Sequence, residues 1–348
     1  MRVLYQSILS TTAIRQRPHF MAEGLASHGC EVFWFYAAVA GKCQFRQWGG
    51  GREIAAIPFA SRARAIDLLN RVWTGLFLRH IRPDVVVATN PITWNWLPRR
   101  LRVLPTVYDC MDDHASFFSG RRQRRLLRNE AALVASSRRI VATSSVVADR
   151  LRARYGTAAD SVEVIPNAYN PADFLRPAAA LSLQRPAIVY TGTLGHWFDW
   201  NSVLAAAVRH AEWTFHLVGP MEAAVPDLPD NIHLVGPLSH SQAVDWMRNA
   251  DALVLPFVRS PLVDAVDPVK LYEYVAAGRP VVTAHWPLLD AYGAIPSVSF
   301  YGDGRPLQEA LERSLAAPPP PPPQSFLAAS TWDIRARRLA EIVREAAA

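Results

Sequence analysis

Lys270, Glu273 and Tyr274 stand at i, i+3 and i+4 of a segment, Asp267 to Pro280, that reads as one short helix with both ends marked. Asp267 is placed to cap the N-terminus, Pro268 suits the first helical position, Gly278 the stop, and Pro280 prevents continuation. A cation and a carboxylate then share one face near the positive end of the helix dipole. A diphosphate is held by such a cation and a helix N-terminus; a ribose is held by a carboxylate that accepts two hydroxyl hydrogen bonds. The same pattern also describes a solvated ion pair on an amphipathic helix whose Leu271 and Val275 face a core. Composition sharpens the first reading. Of 37 basic residues only two, Lys42 and Lys270, are lysine, and a lysine in an arginine-rich chain suggests the need for a compact point charge.

A second cluster, Tyr108-Asp-Cys-Met-Asp-Asp-His114, follows an apolar run and carries three carboxylates and an imidazole. Adjacent acids at a strand end shift one another's pKa, which suits a general base that takes a hydroxyl proton. Asp112 and Asp113 point different ways in an extended segment, so one of them, or His114 beside them, would serve. The alternative is a helix cap and a surface acid. After the first strand, Arg17 and His19 in Arg15-Gln-Arg-Pro-His19 are placed to hold an acidic or hydroxyl-rich molecule, or simply to begin a helix around Pro18.

The loops after other apolar runs add weaker candidates. In Thr191-Gly-Thr-Leu-Gly195, residues Gly192, Thr193 and Leu194 can bring backbone N–H groups to an anion, or make a plain turn before a helix that Asp199 caps. The dinucleotide fingerprint of hydride-transfer enzymes is absent here and after the first strand. Gly219, Gly236, Pro237, Pro256 and Phe257 also lie at strand ends, where doubly wound sheets bind ligands, and form a candidate nucleotide pocket. His196 and Trp197, beside this loop, can touch a bound ligand, or fill core.

Apolar runs alternating with longer mixed segments supply the scaffold. Strands are expected at 2–8, 31–36, 54–59, 84–89, 105–110, 139–143 and 162–165, with helices at 19–28, 66–81, 121–134 and 146–154. The second half repeats the alternation with strands at 187–191, 214–218, 231–235, 252–256 and 280–284. The fold class is α/β: two doubly wound, Rossmann-like parallel-sheet domains facing a cleft. The expected boundaries are 1–170 and 171–330, divided by a proline-broken stretch. After the spacer Pro318–Pro323, a terminal helix over 331–348 returns to brace the first domain.

Charge is divided unevenly. Residues 1–180 hold 25 Lys+Arg against 13 Asp+Glu, while residues 181–348 hold 12 against 17. The first half therefore expects an acidic partner, and the run Arg121-Arg-Gln-Arg-Arg-Leu-Leu-Arg128 reads as a basic amphipathic helix at an anionic membrane surface. The alternative is a solvated helix face. Nucleic acid is excluded as a partner by the lack of zinc-finger spacing or an aromatic RNP strand. Three cysteines without CxxC spacing point to neither a disulfide framework nor a zinc site. The first residues read as a buried strand and not a signal peptide, and no run reaches membrane-spanning length, so a cytoplasmic protein, peripheral on the inner face of the plasma membrane, is expected.

Together these motifs resemble the bacterial glycosyltransferases of GT-B fold, in particular the teichuronic-acid and exopolysaccharide group. The resemblance rests on Arg17-Pro-His19, Tyr108-Asp-Cys-Met-Asp-Asp113, Ile165-Pro-Asn167, Tyr190-Thr-Gly-Thr193 with Trp197-Phe-Asp199, Leu217-Val-Gly-Pro220, and Pro268 through Val282. It implies a nucleoside-diphosphate sugar, UDP favoured, held by the second domain, and a glycan or lipid-linked acceptor held by the first through Arg17 and His19. Lys270 and the backbone of Gly192, Thr193 and Leu194 would bind the diphosphate, and Glu273 the ribose. No cofactor or metal is expected, since a fixed cation and helix dipole can stabilise the leaving group. Many retaining members carry a second glutamate eight residues before the ribose-binding one; here Ala265 occupies that position. Inversion is therefore the expected course, with Asp112 or Asp113 as base. A non-catalytic subunit that binds a nucleotide or partner, and a sugar-nucleotide epimerase, are the alternatives.

Overall fold

The computed structural model describes residues 1–13, 15–36, 45–55, 64–94, 96–156, 161–316 and 321–348. Lys42, Cys43, the expected strand beyond Ala55 and the start of the proline run lie outside the described residues. The chain forms two units, Met1–Pro166 with Trp332–Ala348, and Asn167–Thr331.

The first unit is built on eight strands: β1 (Arg2–Ser7), β2 (Glu31–Tyr36), β3 (Phe45–Trp48), β4 (Gly51–Ala55), β5 (Val85–Ala88), β6 (Thr106–Cys110), β7 (Arg139–Ala142) and β8 (Val162–Val164). Their order is β3-β4-β2-β1-β5-β6-β7-β8. All neighbours run parallel except β3, which pairs antiparallel with β4 and closes the edge as a hairpin. The central strands are buried and mostly apolar, β5 wholly so, as a sheet covered on both faces requires, while Gln6, Ser7 and Asp109 bring polar groups to the ends of β1 and β6. Six helices follow in this unit: α1 (Arg17–Ser27), α2 (Arg64–Ile81), α3 (Pro91–Trp94), α4 (Arg99–Arg102), α5 (Gly120–Ser136) and α6 (Ser145–Tyr155). Right-handed crossovers put α1 on one face of the sheet and α2 to α6 on the other, because the chain reverses direction across the sheet after β4.

The second unit opens with α7 (Pro171–Leu175) and has six parallel strands: β9 (Ala187–Thr191), β10 (Thr214–Val218), β11 (Ile232–Gly236), β12 (Ala252–Leu255), β13 (Val281–Ala284) and β14 (Val298–Tyr301). The order β11-β10-β9-β12-β13-β14 places the topological switch between β9 and β12. Its other helices are α8 (Trp200–Arg209), α9 (His240–Asn249), α10 (Val269–Ala276), α11 (Leu307–Leu315) and α12 (Gln324–Ala329). One contiguous core of Ile, Val, Leu and aromatic side chains fills this unit.

The last helix, α13 (Trp332–Ala347), packs on α1 of the first unit. Trp332 stacks on Phe20 with ring centroids 4.9 Å apart. A Cβ added at Gly24 would lie 2.1 Å from the Cβ of Ala336, so only glycine lets the two backbones approach this closely.

Candidate active site

Helix α10 begins one residue later than its sequence suggests. Pro268 is the N-cap residue and contributes no side-chain hydrogen bond to the helix. Asp267 has other partners: its carboxylate accepts the Asn167 N–H at 2.6 Å and the hydroxyls of Tyr272 and Tyr292 at 3.0 and 3.2 Å. The aspartate thus joins the start of the unit to its interior, and the first turn of α10 keeps uncapped N–H groups. At the other end Gly278 has φ +69°, the left-handed conformation of a helix stop.

Lys270 Nζ lies 2.8 Å from Glu273 Oε2, with Glu273 nearly buried and Lys270 partly exposed. His240, in the first turn of α9, adds a third group: its Nε2 is 3.0 Å from Asp173 Oδ2 and 3.7 Å from Glu273 Oε1. Neither His240 nor Asp173 is among the candidates that residue type and spacing suggest. The signal that exists is Ser239-x-x-Gln242, a reciprocal capping box that fixes the first turn of α9 and hence the direction of His240. One turn along α10, the Tyr274 hydroxyl accepts the Thr191 N–H at 2.8 Å, locking the helix against the loop that ends β9.

That loop has fewer free donors than the sequence implies. The Gly192 N–H donates to the Val218 carbonyl at 2.8 Å, and the Leu194 N–H to the Pro220 carbonyl at 2.9 Å. Gly192 and Leu194 are therefore engaged in joining two strand-end loops; among the described residues the N–H of Thr193, between them, has no acceptor. Gly219 is required by this junction, since a Cβ there would lie 1.9 Å from the Gly192 carbonyl oxygen. His196 is exposed and packs edge-on against Trp197 at 5.0 Å, while Trp197 is partly buried against the core.

The five expected nucleotide-pocket residues separate into two groups. Gly219 and Gly236 meet through a 2.9 Å hydrogen bond from N–H to carbonyl, with Pro237 exposed next in the chain. Pro256 and Phe257 lie on the other side of β9. The Pro256 carbonyl accepts the Asp199 N–H at 2.8 Å, and Phe257 lines a cavity of about 530 Å³ with Asp199, His285, Tyr301 and Arg305. Strand order is the cause: β10 and β11 lie to one side of β9, β12 to the other.

In the first unit the acidic cluster resolves into three different environments. Asp109 is fully buried at the end of β6 and takes the Arg17 guanidinium at 2.9 Å. Arg17 also donates to the Ile165 carbonyl at 2.9 Å. Asp113 is buried between Arg150 and Arg154, each at 2.7 Å, and accepts the Ser116 hydroxyl at 2.6 Å. Burial alone would raise the Asp113 carboxyl, but the hydrogen bonds from Arg154, Ser116 and Arg150 hold it down at about 2. Such a weak base takes no proton from a hydroxyl at neutral pH. Asp112 differs. It is half-buried, no side chain among the described residues donates to its carboxylate, and burial pushes its pKa up against the opposing pull of His114 and Arg17. His114 is buried with Nε2 3.1 Å from the Thr89 carbonyl, which orients the ring and makes it a neighbour of Asp112 more than an independent base.

The expected acceptor contacts of Arg17 and His19 meet a physical objection. Both side chains are 3% exposed. His19 accepts the Gln16 N–H at Nδ1, 3.1 Å away, and approaches the Ser10 carbonyl through Nε2 at 2.9 Å, so the ring holds the start of α1. Arg17 binds β6 to the end of the unit. Groups this fully enclosed and hydrogen-bonded have no capacity left for a substrate.

Among the described residues, no group of three or more His, Cys, Asp or Glu side chains is arranged to hold a metal ion, and no helix is long and apolar enough to cross a membrane.

Comparison with known proteins finds likenesses in both halves of the chain. The model of Glycosyltransferase Family 4 matches residues 19–173, and that of Glycosyl transferases group 1 matches residues 185–292. A Bacillus subtilis (strain 168) protein named as teichuronic acid biosynthesis glycosyltransferase TuaH is 25% identical over 317 residues, covering 79% of this chain and 78% of its own. Among solved structures, sucrose-phosphate synthase from Thermosynechococcus elongatus superposes with a TM-score of 0.70 at 17% identity, covering 99% of this chain and 96% of its own. The α,α-trehalose 6-phosphate synthase from Burkholderia multivorans gives 0.71 at 12% identity, covering 100% and 98%. With glycosyltransferase models matched in both halves and solved structures of two parallel-sheet units superposing over almost the whole length, the chain is a glycosyltransferase of the GT-B fold.

Proposed function

We propose that this enzyme moves a sugar from a nucleoside-diphosphate sugar, UDP favoured, to a hydroxyl of a lipid-linked or polysaccharide acceptor, with inversion and without a metal ion. The observation that carries the reading is the Lys270–Glu273 pair at the uncapped start of α10, tied by Tyr274 to the loop that offers the Thr193 N–H. In this reading Lys270 exchanges its carboxylate partner for the diphosphate, and the first turn of α10 and Thr193 add N–H donors. Glu273, released from Lys270, accepts the ribose hydroxyls with His240 beside it. Departure of the nucleoside diphosphate builds negative charge, which these groups are already arranged to meet. Gly219, Gly236 and Pro237 border the nucleoside, and His196 and Trp197 the donor sugar. Asp112 is the base, supported by its unpaired carboxylate and raised pKa. Ala265 in place of a second glutamate supports inversion, and the teichuronic acid relative supports a polysaccharide acceptor. The acceptor is reached at the inner face of the plasma membrane, where the basic first unit meets anionic lipid.

Thermal shift against UDP, GDP, ADP and their sugar conjugates tests the donor site, since a bound donor raises the melting temperature by mass action. No shift with any of them refutes it. Product formed from donor alone would instead mark an epimerase, and donor binding without turnover a non-catalytic subunit.

A further inference from the structure

Among its described side chains, helix α2 turns four apolar residues outward. Leu68, Leu69, Val72 and Leu76 are 62, 56, 55 and 49% exposed, whereas Asn70 is fully buried. At 3.6 residues per turn the four apolar side chains fall within an arc of about 100°, forming one continuous stripe. Exposed apolar stripes of this kind on a monomer mark an interaction surface.

The neighbouring elements say what covers it. Arg100 of α4 donates to the Gly75 carbonyl, so α4 lies directly against α2. Arg99 and Arg100 are exposed there, and Val103, which follows α4, is 81% exposed. Farther along the same sheet face, α5 presents Arg121, Arg122, Arg124 and Arg128 to solvent with no hydrogen bond or ion pair among the described residues, preceded by the exposed Phe117 and Phe118. Thus α2 supplies an apolar face, and α4 and α5 supply unneutralised cations beside apolar side chains. A protein partner would have to match two cationic helices and a leucine stripe at once. An anionic bilayer offers both complements over any area, with phosphates for the guanidinium groups and acyl chains for the stripe.

We propose that the outer face of α2, with α4 and the start of α5, is a docking surface for anionic phospholipid, in which Leu68, Leu69, Val72 and Leu76 enter the acyl boundary. This deepens, and rests on, the reading that the acceptor is met at a membrane; the sequence pointed only to the arginines of α5.

The test is co-sedimentation of the full chain with phosphatidylcholine vesicles, with and without phosphatidylglycerol. The wild type should bind only the phosphatidylglycerol vesicles and should release in high salt. Combining Leu68→Ser, Leu69→Ser, Val72→Ser and Leu76→Ser should weaken binding more than tenfold, and Arg99→Glu with Arg122→Glu at least fivefold per residue. These side chains are exposed, so melting temperature and nucleotide-induced thermal shift should not change. Vesicle binding equal to wild type in the serine variant overturns the proposal, as does equal binding to neutral vesicles. Loss of self-association in that variant without loss of vesicle binding would assign the stripe to a second copy of the chain, and also overturns it. A failed nucleotide shift with intact vesicle binding would strike the donor reading alone.

Discussion

Lys270 and Glu273 neutralise each other across 2.8 Å on one turn of α10, so each is the other's partner until a ligand separates them. A diphosphate competes for the lysine and a ribose for the glutamate, and neither ligand group alone satisfies both. Lys270→Ala and Glu273→Ala should each weaken nucleoside-diphosphate affinity by tenfold or more, since each removes a charge-assisted hydrogen bond of about 1.5–3 kcal/mol. Folding stability should change by less than about 1 kcal/mol, the value of an i,i+3 pair at a partly exposed site. Calorimetric titration with UDP checks both; unchanged affinity in either variant removes that residue from the donor site. His240→Ala should raise the Michaelis constant for donor and leave turnover largely intact.

Asp112→Asn should abolish transfer while leaving donor binding as it was. Burial raises the carboxyl's pKa, so the rate should climb with pH through a point above the ordinary carboxylate range. Single-turnover rates across acidic pH measure this. A rate that is flat down to pH 4 would exclude Asp112 as base.

Asp113 is predicted to be structural. Its native pKa of about 2 lies below the ordinary 3.8. A carboxylate depressed on folding stabilises the native state above its unfolded pKa. That contribution should fade as pH falls from about 4 to about 2. Asp113→Asn should cost about 2 kcal/mol at neutral pH by removing the charged partner of Arg150 and leaving Arg154 only the more distant Glu130, 3.8 Å away, and should flatten the acid limb of a denaturant-stability profile.

His216 gives the opposite kind of group a similar sign. Burial and the stacked His233, 5.1 Å away, lower its pKa from 6.5 to about 4. Above 6.5 both states are neutral; below it the unfolded chain takes a proton that the native ring refuses. Stability should therefore fall as pH drops from 6.5 towards 4, by as much as about 3 kcal/mol. Replacement by Phe should remove that dependence in urea titrations.

Gly219→Ala should separate the loops ending β9 and β10. The added methyl meets a backbone oxygen at 1.9 Å, and φ of +147° is strained for any other residue. A loss of at least about 2 kcal/mol is expected, with loss of donor binding in the fraction that folds. Chemical denaturation and thermal shift read the two effects separately.

Much of this was legible from local pattern. The limits of β9 and β10 agree with the sequence to the residue, because each is a buried, mostly apolar run directly followed by a glycine, Gly192 and Gly219. The stop of α10 was equally clear at Gly278. Strand β14 was missed: Val298 and Tyr301 are buried, but Ser299 and Phe300 are half-exposed, and four residues carry no readable period. The edge hairpin strand β3 was missed for the same reason. Side-chain partners were the larger loss. Asp267 looked like a cap because its neighbours permit one, whereas Asn167 claims it from 100 positions away. Arg17 looked like a ligand group until Asp109 met it across 92 residues. The sequence shows which residues can form charged pairs; long-range packing decides which of them are already taken.

Helix α13 gives the first unit a peculiar dependence on chain order. The groove beside Gly24 that receives Ala336, and the face of Phe20 that receives Trp332, are made by residues near the start of the chain and filled by residues near its end. On a ribosome the whole second unit emerges before that groove can be closed. The strands around α1 are thus made well before the helix that completes them, and a chain cut before Trp332 would carry an open apolar seam along α1.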